Sequence, residues 1–204
     1  MALSLTTPNT LLGLVQPRTQ VGRLWANVAT VILGTAVLAI AARISVPVLP
    51  VPVTLQSFAV ALLAAAFGWR IGVATVLLYI VQGLSGLPVF AGGGGPQYLM
   101  SPTFGFILGW LPMAYVIGRA ADGGASGRVL PLFAAMVGAN AISFTFGFLW
   151  LIAMSSGASW IDPADILGSA FRVAVQPFIV WDVLKMALAA LTVTGAWGLL
   201  RRRA

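Results

Sequence analysis

The stretch from Val173 to Leu200 reads VAVQPFIVWDVLKMALAALTVTGAWGLL, and its reading decides the class of the fold. It exceeds the run of about 20 mostly apolar residues that crosses a bilayer as a helix. Two charges, Asp182 and Lys185, interrupt it. At bilayer depth each costs on the order of 2.5–3.5 kcal/mol on insertion scales, so such residues face a cavity or each other and commonly mark a site. A spacing of three puts both on one helix face. Counted from Val173, they fall in the outer part of the helix, close to the loops.

Working outward, five more apolar segments precede this one: Leu24–Val46, Val53–Trp69, Ile71–Leu87, Phe104–Gly118 and Val129–Met154. None is strand-like. The expected fold is therefore an all-helical membrane protein with six transmembrane helices, a leader over residues 1–23 and one six-helix domain over residues 24–204. The second, third and fourth segments are short for a full crossing, which predicts tilted or kinked helices whose breaks line a cavity. Pro47, Pro50 and Pro52 close the first helix and force an extended connection. Gly86-Leu87-Pro88 ends the third, and Gly92–Pro96 then supplies four glycines and a proline before Ser101-Pro102.

Composition agrees with this class. Of 204 residues, 60% are hydrophobic and 7% charged, against roughly 45–50% and about 25% in soluble domains. The net charge of +7 would suggest nucleic acid in a soluble protein, but here the basic residues stand singly apart from Arg201, Arg202 and Arg203. Their use is topological, and no nucleic-acid partner is expected. With the N-terminus inside, Arg18, Arg23, Arg70, Arg119, Arg128 and Arg201–Arg203 are cytoplasmic, eight of the eleven basic residues, while Arg43 and Arg172 lie near the outer ends. The positive-inside bias predicts that both termini are cytoplasmic. The proline segment, the glycine segment and the Ser155–Asp165 loop then face outward. The N-terminal segment has no basic n-region and does not read as a secretory signal.

The chain has no Cys, His or Glu, and its acids are Asp122, Asp162, Asp165 and Asp182. Thiolate metal sites, His-based triads and His-Glu-x-x-His helices all need missing residue types. No catalytic residues, metal or cofactor are expected, and an enzyme is the weakest reading. Gly92–Gly95 lacks the Gly-Lys-Ser/Thr continuation of a phosphate loop; it fits a lid, a close backbone approach to a ligand, or a plain flexible loop.

The candidate site is built around Asp182 and Lys185. Lys185 would attract a carboxylate and Asp182 would accept N–H bonds, which suits a small molecule with an acid at one end and amide-like donors at the other. The alternative is an ion pair that only neutralises itself. Gln56 at the start of the second helix, Gln82 near the outer end of the third, Asn140 in the fifth and Tyr98 in the glycine segment add neutral hydrogen-bonding groups that could converge on one outward pocket. Asn140 could equally join helices through an interhelical hydrogen bond, worth about 0.6 kcal/mol. Ala26, Thr30 and Gly34, spaced by four, would let another helix approach the first one closely.

Four ordered motifs carry a resemblance: Val51-Pro52-Val53-Thr54-Leu55-Gln56; Gly83-Leu84-Ser85-Gly86-Leu87-Pro88-Val89-Phe90-Ala91-Gly92-Gly93; Ser101-Pro102-Thr103-Phe104-Gly105; and Pro177-Phe178 followed by Asp182-x-x-Lys185. Together they closely resemble the BioY family of biotin-binding membrane proteins, the substrate-specific (S) components of energy-coupling factor (ECF) transporters. The resemblance implies an S-component-like six-helix bundle in the cytoplasmic (inner) membrane, with an outward pocket that captures biotin under the first and third-to-fourth loops. It further implies a transmembrane coupling protein and two cytoplasmic ATPases as partners, with ATP acting only on them. Many such components present alanines at spacing four to the coupling protein, where this chain has Ala26, Thr30 and Gly34. A stand-alone secondary transporter of biotin or another small carboxylate, with Asp182 taking a proton, is the first rival reading, and a non-transport membrane scaffold is the second.

Overall fold

The computed structural model describes residues 9–156 and 158–201. Residues 1–8 of the expected leader, and Arg202 and Arg203 of the expected cytoplasmic tail, lie outside the described residues. In the remainder of the leader, Leu11–Val15 form a short helix, α1, with Leu12 buried, capped by Thr10, whose hydroxyl accepts the Gly13 N–H. The first long helix, α2 (Gln20–Arg43), starts earlier than its apolar run, because Thr19 caps it by accepting the Gly22 N–H at 3.2 Å.

One face of α2, including Leu24, Val28, Ile32 and Ile40, is exposed apolar surface of the kind that lipid covers. Gly34 lies on the other face, so close to α4 (Trp69–Leu84) that an added Cβ would sit 2.7 Å from Thr75 Cγ2. The close approach permitted at Gly34 is thus taken by a helix of this same chain.

The proline segment forms a small antiparallel hairpin, β1 (Ser45–Val46) with β2 (Val53–Thr54), pairing Ser45 with Thr54 and Val46 with Val53. The sequence pattern anticipates no strand here. Prolines deny the backbone a helix, and the few N–H groups outside the turn pair across it instead. Helix α3 (Gln56–Phe67) follows and is buried along most of its length among Ala59, Ala61, Ala64, Ala65 and their neighbours. Its small side chains let α4, α5 (Phe104–Asp122) and α8 (Ile179–Arg201) pack around it. Gly68, at φ +84°, makes the corner between α3 and α4.

Helix α5 packs along α6 (Val129–Ala153) at glycine contacts; a Cβ on Gly109 would lie 2.7 Å from Ser143 Cα. The final apolar segment, expected from Val173, starts in the last two residues of a separate short helix that the sequence reading left unmarked. Asp165 caps α7 (Ile166–Ala174) by accepting the Gly168 N–H at 2.9 Å, and the chain unwinds around Pro177 before α8 begins. Pro177 has no N–H and disfavours a helical residue before it, which accounts for the break.

Four helical stretches are long and apolar enough to cross a membrane: Gln20–Arg43, Phe104–Asp122, Val129–Ala153 and Ile166–Arg201. Two shorter apolar helices, α3 and α4, accompany them. The hairpin, residues 85–103 and the α7–α8 break gather at one end, tied by bonds such as Trp150 Nε1 to the Ser101 carbonyl at 3.0 Å and Arg43 to the Pro88 carbonyl. At the opposite end, Asn9 donates to the Asp122 carbonyl and Ser126 to that of Ala65.

Candidate ligand-binding site

The break before α8 places Asp182 in the first turn of that helix, 4% exposed and facing α3 and α6. Both oxygens of its carboxylate have partners, and Oδ2 retains acceptor capacity. Oδ1 accepts from Lys185 Nζ at 2.6 Å and from Ser57 Oγ at 3.1 Å, while Oδ2 accepts from Asn140 Nδ2 at 3.1 Å. Lys185 Nζ also donates to the Thr54 carbonyl at 2.7 Å. The two charges form a neutral, shielded pair that links α8 to the end of the hairpin. They also line a pocket.

Gln56, the first residue of α3, is held on both sides. Its Nε2 donates to the Tyr79 hydroxyl at 2.7 Å, and its Oε1 accepts from Thr54 Oγ1 at 3.1 Å. Tyr79 in turn donates to the Val89 carbonyl at 2.7 Å, connecting the site to the glycine segment. There Tyr98, on a short turn of 3-10 helix, accepts from Thr103 Oγ1 at 3.0 Å and stacks on Phe90 with ring centroids 4.5 Å apart. Phe90 lies over Gly83, where a Cβ would come within 2.0 Å of its ring. Glycine is needed at that position to admit the ring.

Gln56, Tyr98, Asn140, Asp182 and Lys185 all line one pocket, so the tertiary structure brings five of the six expected residues together. Gln82 does not reach it. The face of α4 that meets the site carries Tyr79 and Gly83, both buried, and Gln82 stands half-buried beside them. The sequence reading omitted Ser57, the Thr54 carbonyl and Tyr79, and it omitted the aromatic wall. Phe106 and Trp110 of α5 form that wall with Phe144 of α6 and Phe178 of the break. Part of the signal was available: Phe106 and Trp110 are four apart, as are Asn140 and Phe144, so each pair shares a helix face.

The pocket contains about 530 Å³ of empty space, its open mouth included. One end is ionic and hydrogen-bonding, and the walls are aromatic. An elongated small molecule with polar ends and an apolar body matches this arrangement. The glycine segment is a hydrogen-bonded turn, with Phe90 and Gly93 exchanging backbone bonds of 2.9 and 3.1 Å, and Gly93 and Gly95 at φ +117° and +105°.

The sequence model of the BioY family matches residues 15–202. The chain belongs to the BioY family. Among relatives, a probable biotin transporter BioY of Pyrococcus horikoshii is 34% identical over 166 residues, 81% of this chain and 92% of that protein. The biotin transporter BioY of Thermotoga maritima is 34% identical over 170 residues, covering 77% and 87%. That of Rhodobacter capsulatus is 37% identical over 158 residues, covering 72% and 80%. The fold is similar to the 2.1 Å crystal structure of the S-component for biotin from an ECF-type ABC transporter, with a TM-score of 0.71, 21% identity and coverage of 87% of this chain and 93% of that one. Membership of a transporter family and the apolar spans together make this a membrane protein.

Proposed function

We propose that this BioY-family chain is the biotin-binding S component of an ECF-type transporter and takes up biotin across the cytoplasmic membrane. The observation that carries this reading is the pocket. It presents a buried carboxylate and ammonium, Asp182 and Lys185, with Gln56, Ser57 and Asn140, at one end of an aromatic slot. Biotin carries a carboxylate and a ureido ring with two N–H donors, separated by apolar atoms. With Lys185 Nζ and Asp182 Oδ1 2.6 Å apart, the pair meets one end of the ligand: the carboxylate answers the ureido N–H groups and the ammonium the ureido oxygen, while the aromatic walls cover the apolar atoms.

In this reading all six longer helices cross the membrane and both termini are cytoplasmic. Support comes from the arginines: among the described residues Arg18, Arg23, Arg70, Arg119, Arg128 and Arg201 lie toward one end, while Arg43 and Arg172 lie toward the pocket end. Helices α3 and α4 can be short because their upper ends border the site. The single domain spans residues 24–204, uptake is coupled to a transmembrane protein and two ATPases, and ATP acts only there. The chain is a transporter component and not an enzyme.

The test is equilibrium biotin binding to the purified chain in detergent, with valerate and an unrelated vitamin as competitors. Saturable binding resistant to both competitors is expected. Failure of a well-folded chain to bind biotin refutes the assignment.

A further inference from the structure

A second hollow lies at the end of the molecule opposite the biotin pocket, where α1, the 3-10 turn Ala125–Gly127 and the last turn of α8 meet. We propose that it holds the phosphate-bearing headgroup of an anionic phospholipid. Its walls include Asn9, Leu14, Arg128, Trp197 and Arg201, and it contains about 830 Å³ of empty space with its open side included. Two guanidiniums therefore line it, and none of its lining residues is acidic. Among the described residues the ion pairs are Arg172–Asp165 and Lys185–Asp182, so neither Arg128 nor Arg201 is paired with an acid there.

The backbone adds positive potential. Arg128 is the N-cap residue of α6, makes no side-chain cap bond, and is followed by a first turn without an acid. A helix start normally favours an anion or an acceptor, so an arginine there leaves the charge of the helix end uncompensated. The nearest acid, Asp122, is turned elsewhere: its carboxylate lies where a Cβ on Gly68 would be, 2.4 Å from Oδ1. The Trp197 indole nitrogen faces Gly127, with 3.1 Å between Nε1 and an added Cβ, and so brings an amphipathic ring to the rim.

Phosphate chemistry could be supplied by a free anion or by a lipid, and the surroundings favour the lipid. Leu14 and the Trp197 ring line the hollow beside Arg128 and Arg201. An occupant with a charged head and apolar tails satisfies both kinds of surface, whereas inorganic phosphate satisfies one. Basic pockets between membrane helices are a recognised mode of headgroup binding, at about 1 kcal/mol, or roughly fivefold in affinity, for each Lys or Arg near the surface.

The test uses the full chain in detergent micelles and native mass spectrometry. Dioleoyl phosphatidylglycerol and dioleoyl phosphatidylcholine are titrated separately, and inorganic phosphate is added as competitor at matched ionic strength. Expected are saturable phosphatidylglycerol adducts, weakened about thirtyfold in Arg128→Gln/Arg201→Gln and unchanged in Arg70→Gln/Arg119→Gln, whose arginines are at the same end but outside the hollow. Circular dichroism and elution volume verify folding, and the single variants, about fivefold each, stand in if the double variant does not fold. Equal adducts in parent and double variant overturn the proposal. So does equal retention of phosphatidylcholine. Displacement of the lipid by millimolar phosphate overturns the lipid assignment in favour of a free anion.

Discussion

Replacing Asp182 by Asn and Lys185 by Met, singly and together, separates the structural role of the buried pair from its role in the pocket. The Asp182 and Lys185 side chains are 6% and 13% exposed, with Nζ and Oδ1 2.6 Å apart. Removing one partner of a buried pair costs about 3–5 kcal/mol, because the other charge is left unpaired. In Asp182→Asn the ammonium keeps the Thr54 carbonyl at 2.7 Å, so the cost should fall near the lower limit, about 3 kcal/mol. Lys185→Met leaves a carboxylate with Ser57 and Asn140 as remaining donors, and a similar loss of about 3 kcal/mol is expected. The double variant contains neither charge, so its loss should fall short of the sum of the two single losses by up to about 3 kcal/mol, the coupling energy of the pair. Biotin affinity should behave differently and fall by about tenfold to a hundredfold in all three variants, since each lost charge-assisted bond is worth roughly 1.5–3 kcal/mol. Stability is read from tryptophan fluorescence during reversible unfolding in mixed micelles, and affinity from calorimetry. Additive stability losses would show that the two charges are not coupled. Biotin binding that survives in the double variant would refute their role as ligand groups.

Tyr79→Phe deprives buried Gln56 of an acceptor and the Val89 carbonyl of a donor; a loss of about 1–3 kcal/mol is expected, with weaker biotin binding by calorimetry. Gly83→Ala drives a methyl group into the fully buried Phe90 ring, which supports Tyr98. Thermal unfolding should register the roughly 1–3 kcal/mol typical of overpacking, and biotin affinity should drop with it. The chain contains no cysteine, so Ser85→Cys and Arg18→Cys, both at exposed positions, report orientation directly. A membrane-impermeant maleimide should label Ser85→Cys in intact cells and Arg18→Cys only after permeabilisation; the reverse pattern would invert the assigned topology.

Much of the helical layout was legible because lipid-crossing segments announce themselves by long apolar runs. The edges that moved did so for local reasons. Thr19 caps α2 ahead of its apolar residues, and Pro177 moves the start of the last long helix from Val173 to Ile179, after α7. Apolarity alone carries neither signal, and it cannot show the hairpin at Ser45–Thr54, whose pairing depends on two strand segments meeting across the prolines. In the site, Asp182 and Lys185 stood out because charge is costly at that depth. Ser57 and Tyr79 did not, since a hydroxyl in an apolar helix is common and only its partner gives it meaning.

The sequence by itself determined the membrane class, the positions of the principal helices, the charge bias between the ends and the family through four ordered motifs. These properties are local or summed along the chain. Only the tertiary structure decided that Gln56, Asn140, Tyr98, Asp182 and Lys185 line one pocket while Gln82 is left out, that Gly34 receives α4, and that Arg128 and Arg201 line one hollow. Those outcomes depend on helix rotation and on close contacts at small residues, which are fixed only when residues distant in the chain pack against one another.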